Sequence, residues 1–113
     1  MEEDRIFKVL SALHDIIDNS FLKVNEKNIL KTLLEKIYTY YQEQCNEIEK
    51  YQVDICTYTR KRAILTSQVT DYIVSINDAI KGKNNISCIA NIIYKEINYD
   101  DKKGKFKRKR LIK

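Results

Sequence analysis

Residues 51–59 read Tyr-Gln-Val-Asp-Ile-Cys-Thr-Tyr-Thr, and the fold turns on how this stretch is taken. Val53, Asp54, Ile55, Cys56, Thr57 and the two tyrosines are mediocre helix formers. Tyr51, Val53, Ile55, Thr57 and Thr59 also fall at every second position, the period of a strand. The residues before them are helical in pattern. Leu30, Leu34, Ile37, Tyr41, Cys45, Ile48, then Tyr51 or Gln52, and Ile55 recur at steps averaging close to one helical turn, and Leu33 and Tyr40 widen the face. No turn signal separates the two stretches, so residues 51–59 are expected to continue the helix. Unbroken to Arg62, that helix spans roughly 55 Å at about 1.5 Å per residue. It is then a central helix, a coiled-coil arm, or two helices.

Working outward, Asn25 is the expected N-cap of this second helix, with Asn28 at the position where a capping box carries Glu or Gln. Residues 3–18 form a first helix. Its stripe is Ile6, Val9, Leu10, Leu13, Ile16 and Ile17. Glu2, Glu3 and Asp4 stand where the helix dipole favours negative charge, and Asp18-Asn19-Ser20 is the expected stop. Downstream, Ala63-Ile64-Leu65 reads as a short extended connector, and Thr66 or Ser67 as the cap of a third helix. Val69, Ile73, Ile76 and Ile80, with Tyr72 and Ala79 alongside, are its apolar face, and Gly82 ends it after Lys81. Asn84 or Asn85 caps a fourth helix striped by Ile89, Ile92, Ile93 and Ile97. From Tyr99 the apolar period is lost.

Composition agrees. The 113 residues have room for one core, there is no proline, and there are only two glycines, Gly82 and Gly104. Hairpins and tight turns need such residues for their backbone angles. The expectation is an all-α domain of about four helices with one long central helix over residues 1–98, followed by a disordered basic tail over 99–113.

Charge is divided along the chain. Lys102, Lys103, Lys105, Lys107, Arg108, Lys109, Arg110 and Lys113 place +8 in the last twelve residues, with no acid among them. The other 101 residues hold 13 basic and 16 acidic side chains, a net −3. So many like charges repel one another and keep a segment extended. Each phosphate they neutralise releases condensed counterions, which gives affinity without sequence reading. Lys107-Arg108-Lys109-Arg110 also suits a nuclear localisation signal. A solubilising tail is the plainer alternative. Arg60-Lys61-Arg62, placed by this reading at the end of helix two, is either a phosphate clamp or a complement to the negative end of a helix.

Little else points to chemistry. His14 is the sole histidine, and its neighbour Asp15 does not face it on a helix. It is expected on a polar face, without a catalytic role. Cys45 and Cys56 lie roughly 16 Å apart along a continuous helix, too far to share one zinc ion. They and Cys88 read as small hydrophobes, and no cofactor or metal is expected. The odd cysteine count and the acidic start, without a secretory or transit pattern, predict reduced thiols and an intracellular location. No apolar run approaches the ~18 residues needed to span a bilayer. Among eight tyrosines, Tyr38, Tyr40 and Tyr41 cluster. They are expected to pack, inside the domain or against a partner, rather than stack nucleobases.

A short helix, a long central helix, a basic turn and a short helix are together similar to the histone fold. Arg60-Lys61-Arg62-Ala63-Ile64-Leu65-Thr66 resembles its junction between long and third helices, where a basic pair precedes a short extended segment and a Thr cap. A fourth helix and a basic tail resemble the centromere protein S and TAF-like branch. Over about residues 6–80 the resemblance implies an obligate handshake dimer, and it implies DNA-phosphate contacts at Arg60, Lys61 and Arg62.

The function expected is that of a non-enzymatic subunit of a nucleoprotein assembly. Apolar helix faces, helix two above all, would dock a protein partner or a second copy. The tail and the Arg60–Arg62 cluster would hold DNA or RNA backbone, placing the chain in the nucleus or on ribosomes. A ribosome-associated RNA-binding protein and a coiled-coil or bundle subunit without nucleic acid are the alternatives.

Overall fold

A computed structural model describes residues 2–51 and 54–98 of the chain. They form an all-α domain of four helices: α1 (Glu2–Asp18), α2 (Val24–Lys50), α3 (Ile55–Ile80) and α4 (residues 86–98). No strand occurs among the described residues. The basic tail, with its eight cations, lies outside them.

The central span is built as two helices of 27 and 26 residues. Helix two does not continue to Arg62. Its last carbonyls are met at Tyr51, whose N–H donates to the Glu47 carbonyl at 3.3 Å. Asp54 then starts α3: its carboxylate accepts the Thr57 N–H at 2.9 Å and the Thr57 hydroxyl at 3.0 Å. This is the turn signal that the reading of residues 51–59 missed. Asp and Thr offer backbone groups a local partner that competes with a continuing helix, which makes them caps rather than interior residues.

The Ala63–Leu65 connector and the Thr66 or Ser67 cap are corrected with it, since all five residues lie inside α3. Leu65 belongs to the buried stripe Leu65, Val69, Tyr72, Ile76 and Ala79, and the Thr70 hydroxyl donates to the Thr66 carbonyl at 2.7 Å. An unbroken apolar face outweighs the modest propensity cost of two β-branched residues, Ile64 and Thr66.

The other boundaries are set locally. Ser20 closes α1, its hydroxyl donating to the Ile17 carbonyl at 2.6 Å. α2 begins at Val24, before the expected Asn25. Glu26 reaches back to the Lys23 N–H at 3.1 Å, the reciprocal half of a capping box. Gly82 ends α3 at φ +82°. The Lys83 N–H returns to the Asp78 carbonyl at 2.9 Å and the Gly82 N–H to Ala79 at 3.1 Å, a Schellman closure that needs a left-handed residue. Asn85 caps α4, accepting the Cys88 N–H at 3.0 Å.

Cross-links fix the packing. Lys31–Asp18 and the Phe7–Tyr38 ring contact, with centroids 5.3 Å apart, set α1 antiparallel to α2. Tyr40–Gln68 and Arg62–Glu49 set α3 antiparallel to α2. The short turn after Ile80 returns α4 along α3. The described domain is elongated, 51 × 28 × 18 Å, in keeping with the 27- and 26-residue lengths of α2 and α3.

One core joins all four helices. Ile17, Leu30, Leu33, Ile37, Tyr41, Cys45, Val69 and Ile76 are fully enclosed. Each such aliphatic side chain contributes about 1.5–3 kcal/mol relative to exposure. The wide apolar face of α2 is used internally, flanked by α1 on one side and α3 on the other. It is not left open for a partner helix. Within stripes the outcome is finer than periodicity suggests. Ile6, Leu10, Leu13 and Ile17 are buried, while Val9 and Ile16 face solvent. On α4, Ile86, Ala90, Ile93 and Ile97 are buried and Ile92 is exposed.

Candidate functional site

Arg60, Lys61 and Arg62 lie in the second turn of α3, at no helix C-terminus, so the helix-complement reading does not hold for them. Successive helical positions also point apart. Arg60 and Lys61 are exposed, whereas the Arg62 side chain is only 13% exposed. Its guanidinium donates to the Tyr58 hydroxyl at 3.2 Å, stands 5.7 Å from the centre of the Tyr58 ring, and approaches the Glu49 carboxylate at 3.7 Å. Arg62 is thus a strap between α2 and α3. Only Arg60 and Lys61 are presented to a ligand.

Beneath that strap, the Tyr41 hydroxyl and Arg62 Nε are buried without a well-formed hydrogen bond. Burial, reinforced by the neighbouring Cys45 thiol, pushes the Tyr41 pKa up from its usual value, against weaker opposing effects of Thr66 and Arg62. The remaining tyrosines of the cluster pack as expected. Tyr38 meets Phe7, and its hydroxyl accepts from Gln42 at 2.9 Å. Tyr40 donates to the Gln68 amide oxygen at 3.1 Å, and the Gln68 amide nitrogen donates to Tyr72 at 2.7 Å.

His14 lies on the outer face of α1, 3.5 Å from Asp18 one turn on. Asp18 also accepts from Lys31 at 2.6 Å, and this bond chiefly lowers its pKa. Cys45 is buried, whereas Cys56 and Cys88 are exposed, so only the first fits the reading as a core hydrophobe. Among the described residues no cluster of His, Cys, Asp or Glu is placed to hold a metal ion, and no helix is long and apolar enough to cross a membrane.

Sequence reasoning did not find one concavity among the described residues. An open groove of about 1100 Å³ runs between α3 and α4. Ile64 and Ile92 stand exposed on its two walls, Gln68 and Tyr72 line its floor, and Asp71 and Glu96 add exposed carboxylates. Lys95 and Asn98 complete the α4 side. Ile64, expected in an extended connector, lies in α3 on the same helical face as Gln68 and Asp71. A smaller hollow of about 610 Å³ lies at the opposite end, where Ile16, Leu22 and Ile80 meet the fully exposed Phe21.

Asn98, the last described residue, lines the groove with Ile64, one turn from Arg60 and Lys61. The fold therefore places Asn98 on the same groove as Ile64, a residue far from it in sequence. The seven-residue junction that resembles a histone fold is continuous helix here. Compared with protein families, curated proteins and solved structures, the chain matches none.

Proposed function

We propose that this chain is a non-enzymatic subunit of a nucleoprotein assembly, in which residues 102–113, with Arg60 and Lys61, neutralise nucleic-acid phosphates. The observation that carries the reading is the division of charge: +8 in the last twelve residues against −3 in the rest. A cationic strand on a mildly acidic body attracts a polyanion at one end only. What supports this in the fold is that Asn98, the last described residue, lines a groove with Ile64, one helical turn from the exposed Arg60 and Lys61. Exposed apolar side chains such as Phe21 and Val24 supply area for a protein contact. The function belongs inside the cell, at chromatin or ribosomes. The reading does not rest on the histone-fold resemblance, whose extended junction is helical here.

The test is binding of the full chain and of a chain lacking 102–113 to duplex DNA and to structured RNA, by fluorescence anisotropy across about 50–200 mM salt. The full chain is expected to show a log–log salt slope approaching roughly −9 on duplex DNA, about −0.9 for each of ten cations, and the truncated chain a much shallower one of about −2 from Arg60 and Lys61. Equal affinity of the two chains overturns the proposal. No retention of either polymer at moderate salt favours a bundle subunit without nucleic acid. Preference for RNA over DNA favours the ribosome.

A further inference from the structure

The groove between α3 and α4 is an unpartnered surface, and the chain carries a segment suited to it. Its walls expose Ile64 at 62% and Ile92 at 53%, large apolar side chains that the domain's own helices leave uncovered. Asp71 on one wall and Glu96 on the other are exposed, and neither is paired with another described residue. Lys95 is the one cation among the lining side chains, so the groove is apolar with a net negative rim.

Fifteen residues follow Asn98, which itself lines the groove. In sequence they hold an apolar side chain between two cations, Lys105-Phe106-Lys107, just after Gly104. Glycine permits the chain reversal that a return toward the groove demands. Reach is sufficient. From Asn98 to Phe106 an extended chain covers up to roughly 27 Å, whereas the α3 wall from Ile64 to Ser75 is about 17 Å long. A tether of this length holds the segment at an effective concentration in the millimolar range, so even a weak contact is populated.

We infer that the α3–α4 groove is a docking site for this chain's own 104–108 segment, with Phe106 between Ile64 and Ile92 and with Lys105 and Lys107 beside Asp71 and Glu96. Docked, the segment withholds part of the tail's charge from a polyanion. A nucleic acid releases it by competing for the same cations. The inference rests on the phosphate-binding reading for its consequence, but the docking itself stands apart from it.

Both are tested on the full chain with labelled isoleucine methyl groups. Phe106→Ala is expected to move the Ile64 and Ile92 methyl resonances. Duplex DNA added to the unmodified chain is expected to move them the same way. Phe106→Ala, and separately Asp71→Asn combined with Glu96→Gln, should tighten DNA binding by about threefold to tenfold, the inverse of the undocked fraction. Methyl resonances unmoved by Phe106→Ala overturn the docking. Resonances that move with Phe106→Ala but not with DNA overturn the competition. A chain that shows the methyl shifts but binds no DNA keeps the docking and loses the phosphate-binding proposal instead.

Discussion

Replacing Arg62 by alanine separates a structural strap from a phosphate contact, because the two roles predict opposite results. The guanidinium hydrogen-bonds the Tyr58 hydroxyl at 3.2 Å and stacks 5.7 Å from its ring. A hydrogen bond from a charged donor contributes about 1.5–3 kcal/mol, and a cation over an aromatic face about 0.5–1 kcal/mol. The pair with Glu49 adds little, about 0–1 kcal/mol, since that carboxylate is 55% exposed and screened by water. Against these stands the cost of burying Arg62 Nε without a partner. The net expectation is a loss of roughly 2 kcal/mol for Arg62→Ala. Lys61→Ala, one residue away and exposed, should change stability by less than about 0.5 kcal/mol. Urea denaturation followed by far-ultraviolet circular dichroism measures both. Tyr58→Phe, alone and with Arg62→Ala, isolates the hydroxyl's share through a double-mutant cycle. Nucleic-acid affinity should be unchanged in Arg62→Ala at temperatures where the variant is folded. The reasoning is refuted if Arg62→Ala is as stable as Lys61→Ala, and doubly so if its affinity falls.

Two pH predictions follow from buried or capped groups. Burial raises the Tyr41 pKa above its ordinary 10.0, so the fold prefers the neutral phenol. That stability is fully present below the unfolded value and is lost as pH rises through the folded one. Tyr41→Phe removes a hydroxyl lacking a well-formed hydrogen bond, so it should be neutral within about 0.5 kcal/mol, or stabilising, near pH 7. It should also weaken the alkaline loss, with Tyr94, likewise raised by burial, supplying what remains. A large loss of stability at neutral pH contradicts this account of Tyr41. At the acid end, the Thr57 N–H and then the Thr57 hydroxyl hold the Asp54 carboxyl below its ordinary 3.8. Its stabilising effect is present above that value and fades as pH falls through the lower, folded one. Asp54→Asn keeps a capping oxygen and should be folded at neutral pH while losing part of the acid-side slope. Asp54→Ala should lower the thermal midpoint, and an unchanged midpoint would show that the cap does not set the start of α3.

What could be read from the residues was local or cumulative. The i, i+4, i+7 stripes of α1 and α3, the Gly82 stop and the Asn85 cap are short-range signals whose physics is complete within a turn or two of helix. Helical class, the number of helices and the division of charge depend on the same local sums. The candidate site was legible only in part. Arg60 and Lys61 are found exposed, but Arg62 is drawn into the fold by Tyr58 and Glu49, partners on two helices. The tail residues lie outside the described structure.

What tertiary structure alone decided was where near-equal local preferences tip. Residues 51–54, Tyr-Gln-Val-Asp, and residues 63–67, Ala-Ile-Leu-Thr-Ser, each combine a β-branched residue with a capping side chain, and either could end a helix. Packing of Leu65 with Val69 and Tyr72 against α2 keeps the second stretch helical, while Asp54 is free to cap α3. Likewise, Val9, Ile16, Ile64 and Ile92 are as apolar as their buried neighbours. Only the placement of the other helices shows which side of each apolar stripe is covered and which forms a groove. Such placement depends on contacts between residues distant in sequence, and no local period encodes it.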